Sequence, residues 1–324
     1  MTFVDAGSDN GNWGPFSASR ERKHASIVIG LVNNMPPSAM AATTKHFTDF
    51  VRLATHEGEV RFRYFSLSNF RRGDDYYEDI DALWKSNLDG LIVTGAEPRA
   101  ASMTGEPLWP MLKRLVDWAG ENTISTIWSC FAAHAAVFRL DGLKRQRFDE
   151  KLSGVFQCTK VAEHSVVSAA PPQWPVPHSR YNTISEDLLK QSGYTVLSRG
   201  PQIGADTFLK QSHNSLFLFF QGHPEYGRET LFREYCRDID RFLSGQRRSY
   251  PKIPEGYFTQ DIIGRFATLE EKALRAPSAE LLFAFDESLA TATEHSWQEP
   301  AQRWSSGWLS YIAAQKSKCS ESRA

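Results

Sequence analysis

Three side chains with the chemistry of covalent acyl transfer stand just beyond apolar runs in this sequence. Cys130 follows the apolar residues 124–128 and opens the Ala-rich stretch 131–140. A thiol on a strand-to-helix turn gains the positive field of a helix N-terminus, which favours the nucleophilic thiolate. His223 and Glu225 lie in Gly222-His223-Pro224-Glu225-Tyr226, directly after the run Leu216-Phe217-Leu218-Phe219-Phe220-Gln221. An imidazole beside the sulfur can take its proton, and a carboxylate behind the imidazole fixes the tautomer and stabilises the imidazolium. Taken singly, Cys130 reads equally as a buried core cysteine, and His223 as a surface hydrogen-bonding residue. A strand–Cys–helix elbow together with a later His-Pro-Glu favours the triad.

The elements needed to hold such a triad follow from the patterning. Residues 27–33 and 90–95 are short apolar runs, one ending at Asn33-Asn34-Met35-Pro36-Pro37 and the other at a glycine, as fully buried strands do. Residues 60–67 alternate as a strand. Residues 39–56, 77–85, 108–120, 131–140 and 228–243 carry helical spacing or helix formers. Strand and helix alternate up to residue 140, which predicts an α/β fold, a doubly wound and mostly parallel sheet. In such a fold the carboxyl ends of the strands carry the site, where both Cys130 and His223 emerge. From 150 to 220 the expected strands are shorter and more often adjacent. Residues 1–24 read as a flexible arm, 25–245 as the catalytic domain, and 246–324 as a basic, Pro-containing connector with a helical extension.

Bulk composition narrows the function classes. The chain has 324 residues, 37 Lys+Arg against 38 Asp+Glu, and a formal charge of -1, so it offers no bulk attraction for nucleic acid or an anionic membrane. A local basic pocket for a phosphorylated molecule stays open. Its 41% hydrophobic content suits a globular core. The first residues lack a basic n-region, no run approaches the roughly 20 apolar residues of a membrane helix, and the four cysteines form no C-x-x-C pair. A soluble cytoplasmic protein without a disulfide scaffold is expected. No Gly-x-Gly-x-x-Gly, phosphate-binding loop or metal-ligand spacing is present, so no metal and no nucleotide-redox cofactor is expected.

Longer motifs carry a resemblance. The chain resembles the homoserine O-succinyltransferase family, within the class I glutamine amidotransferase-like superfamily, over about residues 27–257. Its carriers are Asn34-Met35-Pro36, Asp89-Gly90-Leu91-Ile92-Val93-Thr94-Gly95-Ala96, Glu150-Lys151-Leu152-Ser153-Gly154, Pro177-His178-Ser179-Arg180-Tyr181, the Gly-His-Pro-Glu-Tyr segment, and Glu234-Tyr235-Cys236-Arg237-Asp238. The resemblance implies Cys130 as acyl-thioester nucleophile, His223 as general base and Glu225 as its orienting acid. It implies Lys151 as a substrate contact, Ser179 as a position that influences substrate choice, and Arg237 as the grip on the amino-acid carboxylate. By their residue types alone, Lys151 reads equally as a solvated charge and Arg237 as a helix-surface ion pair. The implied substrates are an acyl-CoA, as co-substrate rather than cofactor, and homoserine or a similar hydroxy-amino acid; the implied assembly is a homodimer.

Departures from the family pattern mark where substrate choice is set. The segment 37–46 is longer than the family's Thr-Glu-x-Gln stretch, Phe131 replaces Trp, and His134 stands in place of Gln. After Thr-Gly-Ala the family carries Gly with succinyl donors or Glu with acetyl donors; here Arg99 stands there. Turned inward, its charge would pair with a succinyl carboxylate; turned outward, it would leave the donor open. An acetyl donor and a serine acceptor are the alternatives within the same chemistry. A glutamine amidohydrolase uses the same triad, but that class flanks its nucleophile with glycines where this chain has Ser129 and Phe131. A non-catalytic binding protein on the same fold is the remaining alternative.

Overall fold

The computed structural model describes residues 26–55, 60–66, 77–278, 280–281 and 297–321. The N-terminal arm assigned to 1–24, and residues 282–296 of the expected helical extension, lie outside them. One nine-stranded sheet organises the chain, in the order β2-β1-β3-β4-β9-β8-β7-β5-β6. Its strands are β1 (Ile27–Val32), β2 (Val60–Phe65), β3 (Gly90–Val93), β4 (Ser125–Ser129), β5 (Gln146–Lys160), β6 (Gln173–Thr183), β7 (Thr195–Gly200), β8 (Gly204–Ser212) and β9 (Ser215–Phe220).

Strands β2, β1, β3, β4 and β9 run parallel, and every pairing from β9 outward to β6 is antiparallel. The parallel half matches the alternation read from the sequence. The antiparallel half corrects one detail, because β5 has 15 residues and β6 has 11, against four to six in each parallel strand. A hairpin pair has only to satisfy its ladder and one face, so it extends beyond the helix-covered sheet.

Eight α-helices are described: α1 (Pro37–Arg52), α2 (Ile80–Leu83), α3 (Trp109–Asn122), α4 (Phe131–Asp141), α5 (Glu186–Gln191), α6 (Thr230–Leu243), α7 (Gln260–Arg275) and α8 (Gln298–Glu321). Helices α3 and α4 pack Leu112, Leu115, Val116 and Ala132–Val137 on one sheet face around Trp128 and Phe217. The opposite face takes α1, through Phe47, Phe50 and Val51, and α8, through Trp304, Trp308, Leu309 and Ile312. Trp308 Nε1 donates to Ser125 Oγ at 2.9 Å, so the C-terminal helix is anchored to the central strand β4. Gly307 lets this approach happen, since a Cβ there would sit 2.3 Å from the Val166 carbonyl oxygen. A third cluster joins α6 and α7 through Leu231, Tyr235, Ile239, Ile262 and Phe266. That cluster backs the helix whose polar side faces the site.

Candidate active site

The sharpest local feature is Cys130. It has φ 49° and ψ -109°, a conformation that costs a β-carbon residue of order 1–3 kcal/mol. The surroundings over-determine it. Its N–H donates to the Phe220 carbonyl at 2.7 Å, and its own carbonyl accepts from His134 N–H at 3.2 Å, already inside helix α4. The sulfur is thereby turned out at the carboxyl edge of β4, on the N-terminus of α4. Gly95, in the loop after β3, closes over it: a Cβ there would stand 3.3 Å from Cys130 Cβ and 3.4 Å from Phe131 N. Backbone therefore meets backbone beside the thiol, where the N–H of Phe131, first in its helix, has no partner within α4.

His223 arrives from the next strand, β9. Its N–H donates to the Pro177 carbonyl at 2.8 Å, and its Nδ1 lies 2.8 Å from Glu225 Oε1. Both side chains are buried. Burial alone would lower the imidazole pKa, but the Glu225 charge and the charge and hydrogen bond of Cys130 outweigh it and raise it well above the ordinary value. Cys130, His223 and Glu225 thus lie together, with the imidazole biased to its protonated form. Tyr226 stacks on His223 with ring centroids 4.2 Å apart and 17° between planes, and its hydroxyl donates to Glu234 at 3.1 Å. Gly222 is obligatory in this turn, because a Cβ would lie 2.8 Å from both His178 Nε2 and Asp206 Oδ1.

Lys151, Ser179 and Arg237 converge on α6. The β5–β6 register slips between Arg147 and Leu152, and such a bulge re-aims side chains next to a site. Lys151 Nζ lies 2.8 Å from Asp238 Oδ2 and 3.4 Å from Glu234 Oε2. Although burial opposes it, these two carboxylates raise the lysine pKa, so the ammonium is retained. Ser179 Oγ donates to the same Glu234 carboxylate. Burial would push Glu234 up, yet Lys151, Arg237 and the Ser179 hydrogen bond bring it down to about 2. Arg237 stays half exposed, with Asp238 Oδ1 at 3.7 Å. Lys151 is thus a buried, doubly paired cation rather than a solvated one. Glu234 is the residue that residue-by-residue reading passed over, although its motif was in view; an acid three residues before an arginine on one helix face was the available signal.

Comparison with known proteins agrees with this geometry. The family model described as homoserine O-succinyltransferase matches residues 9–319. A homoserine O-succinyltransferase of Rhodopseudomonas palustris is 44% identical over 301 residues, covering 91% of this chain and 87% of that one. The chain belongs to the homoserine O-succinyltransferase family. A relative of the same name from Bradyrhizobium japonicum is 42% identical, covering 91% of this chain and 92% of its own. A more distant one, from Thiothrix nivea, is 33% identical, covering 88% and 81%. At the level of fold, a glutamine amido transferase structure from Methylobacillus Flagellatus superposes with TM-score 0.52 at 14% identity, covering 89% of this chain and 96% of that one.

The departures from the family pattern now have places. Arg99 is exposed, and its backbone N–H donates to Glu106 Oε2 at 2.9 Å. Glu106 Oε1 also accepts the Ala100 N–H at 3.2 Å and pairs with Arg145 Nη2 at 2.6 Å, both side chains being buried. The loop carrying Arg99 is therefore fixed by a buried ion pair that sequence separation concealed. The Arg145 guanidinium also lies 5.5 Å from the Phe131 ring centroid, behind the residue that follows the nucleophile. His134 lies buried with Nε2 3.2 Å from Gln221 Oε1, and burial holds its pKa down to about 3, so it is a neutral donor. The altered segment 37–46 became the start of α1, which brings His46 beside the His223 loop, its ring 6.3 Å from that of Tyr226.

Among the described residues, Cys158, His178 and Asp206 have ligand-type atoms within 4.8 Å of one another. Their other polar atoms are hydrogen-bonded within the core, while His178 Nε2 and Asp206 Oδ1 are buried without a hydrogen-bond partner. Arg180 Nε donates to His178 Nδ1 at 3.2 Å, leaving the proton of a neutral imidazole on Nε2, which faces Asp206 Oδ1 at 3.3 Å. Ser198 and Thr207 supply further donors to Asp206 at 2.7 and 2.9 Å. No described helix is long and apolar enough to cross a membrane.

Proposed function

We propose that this protein transfers the succinyl group of succinyl-CoA to the γ-hydroxyl of homoserine, a step of methionine biosynthesis, through an acyl-enzyme on Cys130. The observation that carries the reading is the strained elbow that delivers Cys130 to His223, itself bonded to Glu225 at 2.8 Å. Its relatives' shared name supplies the substrates. In the first half-reaction His223 already holds the thiol proton as the imidazolium, and the Cys130 sulfur attacks the thioester carbonyl. The carbon–sulfur bond to coenzyme A breaks, and the imidazolium protonates the leaving thiolate. In the second, neutral His223 takes the γ-hydroxyl proton as that oxygen attacks the acyl-enzyme, and the Cys130 sulfur is released. Backbone N–H groups of Phe131 and of the loop after Gly95 are the proposed oxyanion donors.

Lys151, Ser179, Glu234 and Arg237 form the acceptor side in this reading, with Arg237 as the exposed cation for the α-carboxylate. Arg99 is exposed on the fixed loop, so the succinyl donor rests on the relatives' shared name rather than on this side chain. The reaction needs no metal or redox cofactor, and we place it in the cytoplasm of the cell, in a homodimer. Measuring CoA release across succinyl-CoA and acetyl-CoA, each with homoserine and with serine, tests the substrate assignment. O-succinylhomoserine, identified by mass spectrometry, is the expected product. Faster turnover with acetyl-CoA, with serine, or of glutamine would replace it with one of the alternatives.

A further inference from the structure

Beyond the acceptor side, the mouth of the site carries more arginine than one amino-acid carboxylate needs. Arg147 of β5 lies with Cζ 5.0 Å from the Tyr181 ring centroid, and Arg247, in the connector after α6, donates from Nη1 to the Tyr181 hydroxyl at 3.3 Å. Arg237, Arg241 and Arg247 all surround Asp238, at 3.7, 3.8 and 3.7 Å. That single buried carboxylate is already engaged by Lys151 at 2.8 Å. Among the described residues, Arg241 alone of these arginines has an acid of its own, Glu97, gripped bidentately at 2.7 and 2.8 Å. Glu234 is committed to Lys151 and Ser179, and Glu150 to Lys252. One amino-acid carboxylate takes one guanidinium in a bidentate grip. Arg147 has an exposed side chain, while Arg247 shares Asp238 with three other cations and donates from Nε to the Ser249 carbonyl at 2.8 Å.

Location ties this surplus to the donor. Glu97 stands two residues after Gly95, the glycine packed against Cys130, so the Arg241–Glu97 pair leads from the sulfur to the arginines. A depression lined by Glu150, Lys151, Asp238, Arg247, Tyr250 and Lys252 opens beside Arg247. We infer that Arg147 and Arg247, both in contact with Tyr181, are the subsite for the phosphorylated adenosine end of the acyl-CoA donor. This rests on the acyl-CoA reading above and extends it. Guanidinium forks match phosphate oxygens, and the Tyr181 face with its stacked Arg147 offers a flat platform for a purine.

The test uses adenosine 3′,5′-bisphosphate, the donor's nucleotide end without its thioester, in calorimetric titration of the full chain. Binding is expected in the wild type, weakened by added salt, and about tenfold weaker in Arg147→Gln and in Arg247→Gln. The same variants should raise KM for succinyl-CoA by a similar factor. Kinetic constants with S-succinyl-N-acetylcysteamine, which carries no phosphate and does not reach these arginines, should stay at wild-type values. Arg247→Lys, which keeps charge and loses the fork, should fall between, and serves if the glutamine variant fails to fold. Unchanged bisphosphate binding in both glutamine variants, or equal losses with the phosphate-free thioester, would overturn the inference. Bisphosphate binding that depends on these arginines in a protein that turns over no acyl-CoA would instead refute the proposed reaction and leave the anion site standing.

Discussion

At the scale of single residues, one charge decides the chemistry. Glu225 is the largest of the influences that keep His223 protonated against its burial. Glu225→Gln should therefore lower the imidazole pKa and move the alkaline limb of the kcat/KM profile for succinyl-CoA to lower pH. Loss of tautomer control should also reduce kcat, by about 10²–10⁴-fold. A variant profile that superposes on the wild type would deny Glu225 that role. Glu234 makes a prediction of another kind. Its carboxyl lies at about 2 when folded against an ordinary 4.5, so the stability it contributes is present above pH 4.5 and lost as pH falls towards 2. In Glu234→Gln, buried Lys151 keeps only Asp238, and acid unfolding between those pH values should flatten. The meeting of Cys130 with the His223 loop was legible in the sequence because each comes shortly after a buried strand. Glu234 and Tyr226 lay inside quoted motifs, yet their roles depend on stacking and on Ser179 and Lys151, residues brought in from other strands. The Glu106–Arg145 pair left no trace, being 39 residues apart with no periodicity to connect them.

At the scale of elements, close approach matters more than propensity. The turn between β9 and Glu225 has room only for glycine at 222, wedged between Val176, His178 and Asp206. Gly222→Ala should displace the His223 loop, lowering kcat by at least tenfold while leaving far-ultraviolet circular dichroism unchanged; wild-type kcat would show that the turn accommodates a methyl group. Helix α8 gives the stability counterpart. Trp308 is fully buried between the sheet and the helix and hydrogen-bonds Ser125. Trp308→Ala should cost about 3–5 kcal/mol in denaturant unfolding, whereas a loss below about 1 kcal/mol would mean that α8 is not a structural layer of the sheet. Parallel strands β1, β3 and β9 were readable because short, apolar runs have few other uses. The hairpin β5–β6 was not: Gln146–Lys160 mixes exposed charges with a bulge, and its length is set by its partner.

Across the whole molecule, a buried polar layer behind the site ties the two halves of the sheet together. His134 on α4 meets Gln221, Gln221 meets Ala205 and Ile184, and Arg180 joins Gln221 to His178, Asn182 and Ile203. Burial, reinforced by Arg180, holds His178 down to about 4 and His134 to about 3, so both are neutral when folded. An unfolded histidine takes up its proton below about 6.5. Both groups therefore favour the unfolded chain as pH falls below 6.5, each by about 1.4 kcal/mol per pH unit until its folded value is reached. Stability should drop by about 3 kcal/mol between pH 6.5 and 5, and less in His134→Gln; a flat profile would show that the layer does not exclude protons.

The central step is most directly observed by mass spectrometry of the protein incubated with succinyl-CoA and no acceptor. A succinyl adduct confined to the peptide containing Cys130, discharged on adding homoserine and never formed in Cys130→Ala, is the expected result. Coenzyme A release at an undiminished rate by Cys130→Ala, or an adduct on another residue, would contradict it.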